Sequence, residues 1–381
     1  MDYFLSEEQK TIVEIARKIT EERIIPARAD LDEKQEFPHA IIEEIGKSDL
    51  FGLFIPEEYG GFGGNIMDIC LAVEEFSRGC IGVSTTYAAS GLGILPIIIS
   101  GSDEQKNKYL PLFAQGKLLC AFGLTEPDAG SDAGNINTTA KKDGDCYMIN
   151  GTKQWITNGG DADLYIIFAM TDKSRGSRGL SAFIIEKGAP GFSFGKKENK
   201  LGIRASSTRE LIFEDCKIPA ENLVSREGAG FIVALKTLDR ARPVVGAQAV
   251  GLAQGAMEEA IKFSKVRQQF GSTISSFQAI QHMLADMAIG IEASRALVYA
   301  TARYIDGVGK DYSGASAIAK VFPTDMAMKV TVDALQVLGG SGYMKEYPVE
   351  KMMRDAKILQ IYEGTNQIQR SIIANELLKK Y

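Results

Sequence analysis

Tyr362-Glu363-Gly364-Thr365 interrupts a chain that reads as helix on both sides. Downstream, Ile368, Ile372, Ile373 and Leu377 recur near helical spacing. Asn366 followed by Gln369 has the form of a capping box, so a helix is expected to restart at Asn366. An acid beside a glycine on a loop between two packed helices has two readings. It caps a helix end or joins a salt bridge, as a single glutamate commonly does. Alternatively, packing desolvates it and lifts its pKa toward the range in which a carboxylate serves as a general base.

Four further segments are polar or glycine-rich within well-patterned surroundings. Phe122-Gly-Leu-Thr-Glu-Pro-Asp-Ala-Gly-Ser-Asp132 frees backbone N–H groups at Gly130 and offers hydroxyls at Thr125 and Ser131. Those are donors for a planar ring or a diphosphate, or simply a surface loop. Gly151-Thr-Lys-Gln-Trp-Ile-Thr-Asn-Gly-Gly160 holds the chain's single tryptophan, Trp155, among polar residues and turns, a setting for stacking on a planar ligand. Asp239 and Arg242 are three apart and share a helix face, where Pro243 should kink the helix or free a carbonyl; an ordinary structural ion pair explains them equally. Arg267-Gln-Gln-Phe270-Gly and Gln336-Val-Leu-Gly-Gly340 pair a polar turn with two glycines that end an apolar helix, which a C-cap alone would also explain.

Much other chemistry is disfavoured. With only His39 and His282 there is little material for a histidine-based metal centre or a Ser-His-Asp triad, and no metal site is expected. Gly61-x-Gly63 lacks the third glycine and the preceding strand of a dinucleotide fold, and Gly46-Lys47-Ser48 lacks the first glycine of a P-loop. The net charge of −6 provides no basic field for nucleic acid or an anionic membrane. Five cysteines, odd in number and without a Cys-x-x-Cys, fit reduced thiols in a cytoplasm-like compartment. The N-terminus is acidic early and lacks the basic region of a signal peptide. The longest apolar run, Leu92 to Ile99 with Pro96 inside it, reads as too short to span a bilayer.

These segments must be positioned by more than one domain, because 381 residues exceed a single compact core. Residues 1–117 carry helical spacing: Ser6 precedes an amphipathic stretch, Pro38 precedes another, and a glycine cluster at 60–64 separates these from Met67 onward. Between 118 and 225 short β-rich runs alternate with Asn-Gly and Asp-Gly turns, the texture of a small barrel or sandwich. Residues 226–381 return to long helices, with Phe231, Leu235, Leu238, Arg242, Val245, Ala249 and Leu252 along one face. The expectation is an α+β chain: helical domain, β domain, then an antiparallel four-helix bundle.

Taken together, Thr125 to Asp132, Trp155-Ile156-Thr157, Arg267 to Gly271, Gln336 to Gly340 and Tyr362 to Thr365 resemble the acyl-CoA dehydrogenase flavoproteins in order and spacing. The similarity runs over essentially the whole chain and is closest to members acting on short and medium acyl chains. Met352 to Arg370 is its most specific stretch. The resemblance implies FAD between the β domain and the C-terminal bundle. Phe122, Leu124, Thr125, Gly130, Ser131, Trp155, Ile156 and Thr157 would hold its ring and ribityl portion. Arg267, Gln269, Phe270, Phe277, Gln278, Gln336, Val337, Gly339 and Gly340 would hold the ADP part across a subunit boundary, with Thr365, Asn366 and Gln367 completing the diphosphate and adenine site. A cofactor shared in that way implies a homotetramer.

In such enzymes the acid of the Tyr-Glu-Gly-Thr turn, here Glu363, removes the α-proton of the acyl-CoA thioester while flavin N5 accepts the β-hydrogen as hydride. The Glu363 backbone N–H and a ribityl hydroxyl would stabilise the enolate-like state. Some members carry the base instead at the position of Ala241, which has no acid here. Ser131, Asp239, Arg242, Tyr362 and Gly364 would border the acyl-CoA path, and the small residues from Ala88 to Gly91, with Tyr87, its floor. Electrons would pass to an electron-transferring flavoprotein. Alternatives on the same fold are an oxygen-using oxidase and a catalytically silent acyl-CoA-binding subunit.

Overall fold

The computed structural model describes residues 3–380. Its N-terminal part is helical. Helix α1 (Glu7–Ile19) starts where Ser6 and Gln9 exchange reciprocal capping bonds. It is followed by α2 (Ile25–Lys34), α3 (His39–Lys47), α4 (Ile66–Gly79), α5 (Ile81–Ser100) and α6 (Asp103–Ala114). Helix α5 corrects one expectation. The uncharged stretch before Leu92 extends the apolar run to 20 residues, long and apolar enough by composition to cross a membrane. In the fold, however, 13 of its 20 residues are buried inside the protein, against α4, α6, β1 and α7, within the N-terminal core.

The β region comprises β1 (Cys120–Gly123), β2 (Thr139–Asp143), β3 (Cys146–Thr157), β4 (Leu164–Met170), β5 (Leu180–Glu186), β6 (Phe192–Lys197), β7 (Thr208–Pro219) and β8 (Leu223–Val224). They make one mixed sheet in the order β6-β7-β3-β2-β4-β5-β8, with β1 parallel to β4. Its two halves meet only at Thr139 opposite Met170, so they can fold over a core of their own. Strand β4 shows the consequence: all seven residues are buried. Tyr165, Ile167 and Ala169 pack into the core between the sheet halves, whereas Leu164, Ile166, Phe168 and Met170 join the larger core shared with the helices. Period-two alternation across a strand covered on both faces produces this continuous apolar run.

The chain then forms α7 (Gly230–Val266), a small hairpin of β9 (Gln268–Gln269) and β10 (Ser272–Thr273), α8 (Gln278–Val308), α9 (Ser313–Leu338), α10 (Val349–Leu359) and α11 (Asn366–Lys380). Helices α7, α8 and α9 pack on one another, α10 and α11 lie on α9, and α7 also packs on α4 and α5. Helix α7 therefore belongs to two helical layers at once. Glycines on its N-terminal-domain face permit this: a Cβ on Gly251 would run into the backbone of Glu74, and one on Gly255 into that of Arg78. The helices-sheet-helices architecture agrees with the expected fold.

Candidate active site

A cavity of about 840 Å³ opens where the sheet meets α5, α7 and the turn between α10 and α11. Every residue assigned to the ring and ribityl end of the cofactor faces it: Phe122, Leu124, Thr125, Gly130, Ser131, Trp155, Ile156 and Thr157. Trp155 reaches it through an irregularity of β3. The register against β7 shifts between Lys153 and Ile156, and Trp155 takes φ +58°, a left-handed backbone unusual for a bulky residue. The ring is consequently not core; it is 58% exposed. A large exposed indole on the wall of a cavity provides a surface for a planar group.

Beneath the loop lies a buried ion pair the sequence reading missed. Lys153 Nζ donates to Glu126 Oε1 at 2.6 Å and to the Leu124 carbonyl at 3.1 Å. Glu126 also accepts from the backbone N–H groups of Asn137 and Thr138. Burial pushes the Lys153 ammonium down to about 8 against the pull of Glu126. Burial pushes Glu126 the other way, but Lys153 and the hydrogen bonds outweigh it and hold the carboxyl below its usual range. The signal was present in the sequence, as a lysine placed inside an otherwise ladder-forming strand.

Glu363 and Gly364 occupy the break with φ +51° and +92°. The Asn366 N–H donates to the Gln360 carbonyl at 3.0 Å and closes the loop. Inside it, Gln369 Nε2 donates to the carbonyls of Glu363 (3.1 Å) and Gly364 (3.2 Å), and Lys320 Nζ donates to Gly364 at 2.9 Å. The expected capping box is absent. Thr365 is the cap, accepting from the Ile368 N–H at 3.3 Å, while the Asn366 side chain turns inward to Lys320, Thr324 and Asp325. Asn366 and Gln369 are spent on holding the turn because both are buried in the α9–α11 contact.

Glu363 lines the cavity, and its carboxyl Oε2 is buried without a hydrogen-bond partner. Burial lifts its pKa to about 7, opposed by the charges of Lys320 and Arg242. An unsatisfied buried carboxylate oxygen is costly unless a ligand or proton uses it. Tyr362 donates to Gln248 Oε1 at 2.5 Å, and Gln248 Nε2 donates to Thr85 Oγ1 at 3.3 Å, which ties the turn to α7 and α5. Gln248 was not anticipated, although a polar side chain within the apolar Val244–Ala253 stretch marks it.

Arg242 and Tyr362 line the cavity, and so does Gly364. Asp239 does not; it pairs with Arg242 and accepts from Ser313 Oγ at 3.1 Å, so it acts on the site through the arginine. Ala88 lines both the main cavity and a chamber of about 30 Å³ behind Glu363, whose apolar walls include Phe54, Leu92 and Val245. Tyr87 is a correction. It is fully buried on the opposite side of α5, where its hydroxyl donates to the Leu50 carbonyl at 2.6 Å and its ring packs on Phe51, Phe54 and Phe76. Ala88 and Ala89 both reach the cavity, whereas Tyr87, about 100° from Ala88 in the other direction around the helix, turns into the aromatic cluster. Ser90 likewise bonds the Cys120 N–H, and Gly91 packs under the Phe54 ring.

The residues assigned to the ADP part lie elsewhere in the chain. Phe270 at the tip of the β9–β10 hairpin is 96% exposed. Gln269, Gln278, Gln336, Gly339, Gly340 and Gln367 are also exposed, whereas Phe277 and Thr365 are half-buried and Val337 and Asn366 are buried. Arg267 and Ser341, which follows Gly340, border one shallow depression that shares no lining residue with the main cavity. None of these residues lines the main cavity, although Thr365 to Gln367 directly follow Gly364, which does.

The sequence was compared with known proteins. Three family models match consecutively: acyl-CoA dehydrogenase N-terminal domain over residues 6–117, middle domain over 121–216 and C-terminal domain over 228–378. The short-chain specific acyl-CoA dehydrogenase of Clostridium acetobutylicum is 46% identical over 381 residues, covering 100% of both chains. Butyryl-CoA dehydrogenase from Megasphaera elsdenii superimposes with a TM-score of 0.96 at 45% identity, over 99% of this chain and 100% of that one. A chain from the work on the electron transferring flavoprotein of Acidaminococcus fermentans, directed at flavin-based electron bifurcation, superimposes at 0.97 with 50% identity over 100% of both. Members of this family bind FAD, and the donor-lined, tryptophan-walled cavity beside an unpartnered carboxylate fits that group. The chain belongs to the acyl-CoA dehydrogenase family of FAD-dependent oxidoreductases.

Proposed function

We propose that this protein oxidises a short-chain acyl-CoA to the 2-enoyl-CoA, with Glu363 removing the α-proton. The observation that carries the reading is the buried, partnerless Oε2 of Glu363, a residue that lines the cavity from a strained turn and whose carboxyl is lifted to about 7. A base with a pKa near the working pH is both available and strong enough to accept a proton from a weak carbon acid. FAD, when bound, supplies the acceptor that takes the β-hydrogen as hydride. Among the described residues no carbonyl or side chain takes up the Glu363 N–H, which supports a role for it as a donor to the thioester oxygen. Arg242, held by Asp239, keeps a cation at the cavity wall, where it favours the ionised base.

The short acyl group is supported by the small chamber behind Glu363, about 30 Å³ and walled mainly by apolar side chains, and by the relatives named for short chains and butyryl-CoA. Ser131 at the cavity edge is suited to the CoA side of the path. The likeness to a chain from a study of an electron transferring flavoprotein supports such a protein as the electron acceptor. The ADP-end residues Arg267, Gln269, Phe270, Phe277, Gln278, Gln336, Val337, Gly339, Gly340, Thr365, Asn366 and Gln367 would then serve a cofactor bound mainly by a second copy, Val337 and Asn366 by shaping backbone rather than by side-chain contact. Exposed apolar side chains on the same helices, Ile289, Phe322 and Leu378 beside Phe270, support burial of this surface in a homotetramer.

The test is anaerobic mixing of the purified yellow protein with a series of saturated acyl-CoAs. Butyryl-CoA should bleach the flavin fastest, and Glu363→Gln should abolish bleaching while retaining the flavin spectrum. Bleaching of Glu363→Gln at the parental rate would remove Glu363 as the base.

A further inference from the structure

One buried cation stands directly behind the reactive turn, bonded to it and opposing the burial of Glu363. Lys320 is fully buried in α9, in a stretch with no other charge between Ser313 and Thr324. Its Nζ donates to the Gly364 carbonyl at 2.9 Å and to Asn366 Oδ1 at 2.8 Å. Asn366 in turn donates to Thr324 Oγ1 at 2.9 Å and Asp325 Oδ1 at 2.8 Å, so the ammonium is the end of a network rooted in α9. The turn it touches needs such support. Two successive positive φ values, one of them on a glutamate, persist only where the surroundings over-determine them.

We propose that Lys320 is a positioning residue for Glu363: it clamps the turn that presents the carboxylate and stands a cation behind it. The proposal rests on Glu363 being the base. Gln369 is a neutral clamp on the Gly364 carbonyl that Lys320 also holds, and on the carbonyl of Glu363, so the hydrogen bonding alone does not require a charge. A lysine does something the amide cannot. It stabilises the carboxylate over the acid, which keeps part of Glu363 ionised despite its burial. The other charges facing the pair are Arg242 from α7, which acts in the same direction, and Asp325 on α9, which supports the ammonium and is itself paired with Arg370 of α11 at 2.7 Å. On α10, Asp355 is neutralised by Lys351 at 2.5 Å. Burial draws the Lys320 ammonium down to about 7 with Glu363 pulling it up, so the two groups titrate as one coupled pair.

The test compares holoenzymes of the parent, Lys320→Met, Lys320→Gln and Gln369→Leu, reading the anaerobic flavin-reduction rate by butyryl-CoA across pH. Reduction of the parent and its absence in Glu363→Gln settle the base assignment first and independently. Both Lys320 variants are expected to move the acid limb upward by about one pH unit, since loss of a neighbouring opposite charge is worth roughly that much. Gln369→Leu should slow reduction without moving the limb. Because coupling is reciprocal, Glu363→Gln should lower the Lys320 titration, which ¹⁵N NMR of the lysine amine reads in a protein whose Lys320 is intact. An acid limb that shifts no further in the Lys320 variants than in Gln369→Leu, or a Lys320 titration unmoved by Glu363→Gln, overturns the proposal.

Discussion

The hydroxyl of Ser316 on α9 donates to the backbone carbonyl of Asp239 on α7, the carbonyl that Pro243 leaves without its helical donor. Proline has no N–H to return to the residue four before it, so α7 loses a bond one turn ahead of Arg242 and α9 replaces it. The Asp239–Arg242 pair is thereby anchored to the helix that also carries Lys320. Ser316→Ala should leave a buried acceptor unsatisfied, at a cost of about 1–3 kcal/mol. Chemical denaturation should show that loss, and the acyl-CoA KM should rise with little change in FAD content. An unchanged KM would detach Asp239 from the site.

Glu363 makes the protein less stable at the pH where it works. Its folded pKa of about 7 lies above the ordinary 4.5, so the folded state holds the proton more tightly than the unfolded chain does. The stability this contributes is complete below about pH 4.5 and is lost as pH rises through 7. Glu363→Gln should therefore melt higher than the parent at pH 8, by up to about 3 kcal/mol at the conversion of roughly 1.4 kcal/mol per unit, and nearly equally at pH 4.5. Differential scanning calorimetry at both pH values checks the sign.

The same shift sets the rate. Proton removal needs the carboxylate, so flavin reduction should rise with pH and reach half its plateau near 7, the value that burial and its two opposing cations produce. Stopped-flow absorbance from pH 5.5 to 8.5 measures it. A half-plateau near 4.5 would mean that the turn does not desolvate Glu363.

Gly364 cannot carry a side chain without disturbing its clamp. Its φ is +92°, and a Cβ there would sit 2.5 Å from Gln369 Nε2. Gly364→Ala should destabilise by more than the ~1 kcal/mol of a favourable glycine replacement, and with the opposite sign. It should also cut the reduction rate at least tenfold through displacement of Glu363, as single-turnover kinetics would show.

Under the flavin-facing loop, Lys153 and Glu126 are both almost completely buried. Removing one partner of such a pair costs about 3–5 kcal/mol because the other is stranded. Lys153→Met should therefore lower thermal stability and FAD retention, whereas Lys153→Met with Glu126→Leu should recover much of the stability. Thermal melts and the flavin-to-protein absorbance ratio of the three proteins test it.

The architecture was legible because it is written in local periodicities. Ser6 and Gln9 cap α1 as their spacing demands, and the alternating runs between 118 and 225 became strands. Glu363 was legible because a glycine-flanked acid interrupting two helices has a local signature. Face assignment on α5 was not: Tyr87 and Ala88 are equally plausible neighbours until packing decides that the phenol goes into the Phe51–Phe54–Phe76 cluster. The cap of α11 was misread for a similar reason. Asn366 and Gln369 have capping chemistry, but α9 offered them buried partners that a single segment cannot reveal.

By itself the sequence determined the fold class and, through the order and spacing of its motifs, the family, and it singled out Glu363 as an acid on a helix break. Tertiary structure alone decided the strength of that base and what holds it. Both depend on burial and on cations brought from Arg242 and Lys320, 121 and 43 positions earlier in the chain, and through-space electrostatics leaves no mark at that separation in a linear sequence.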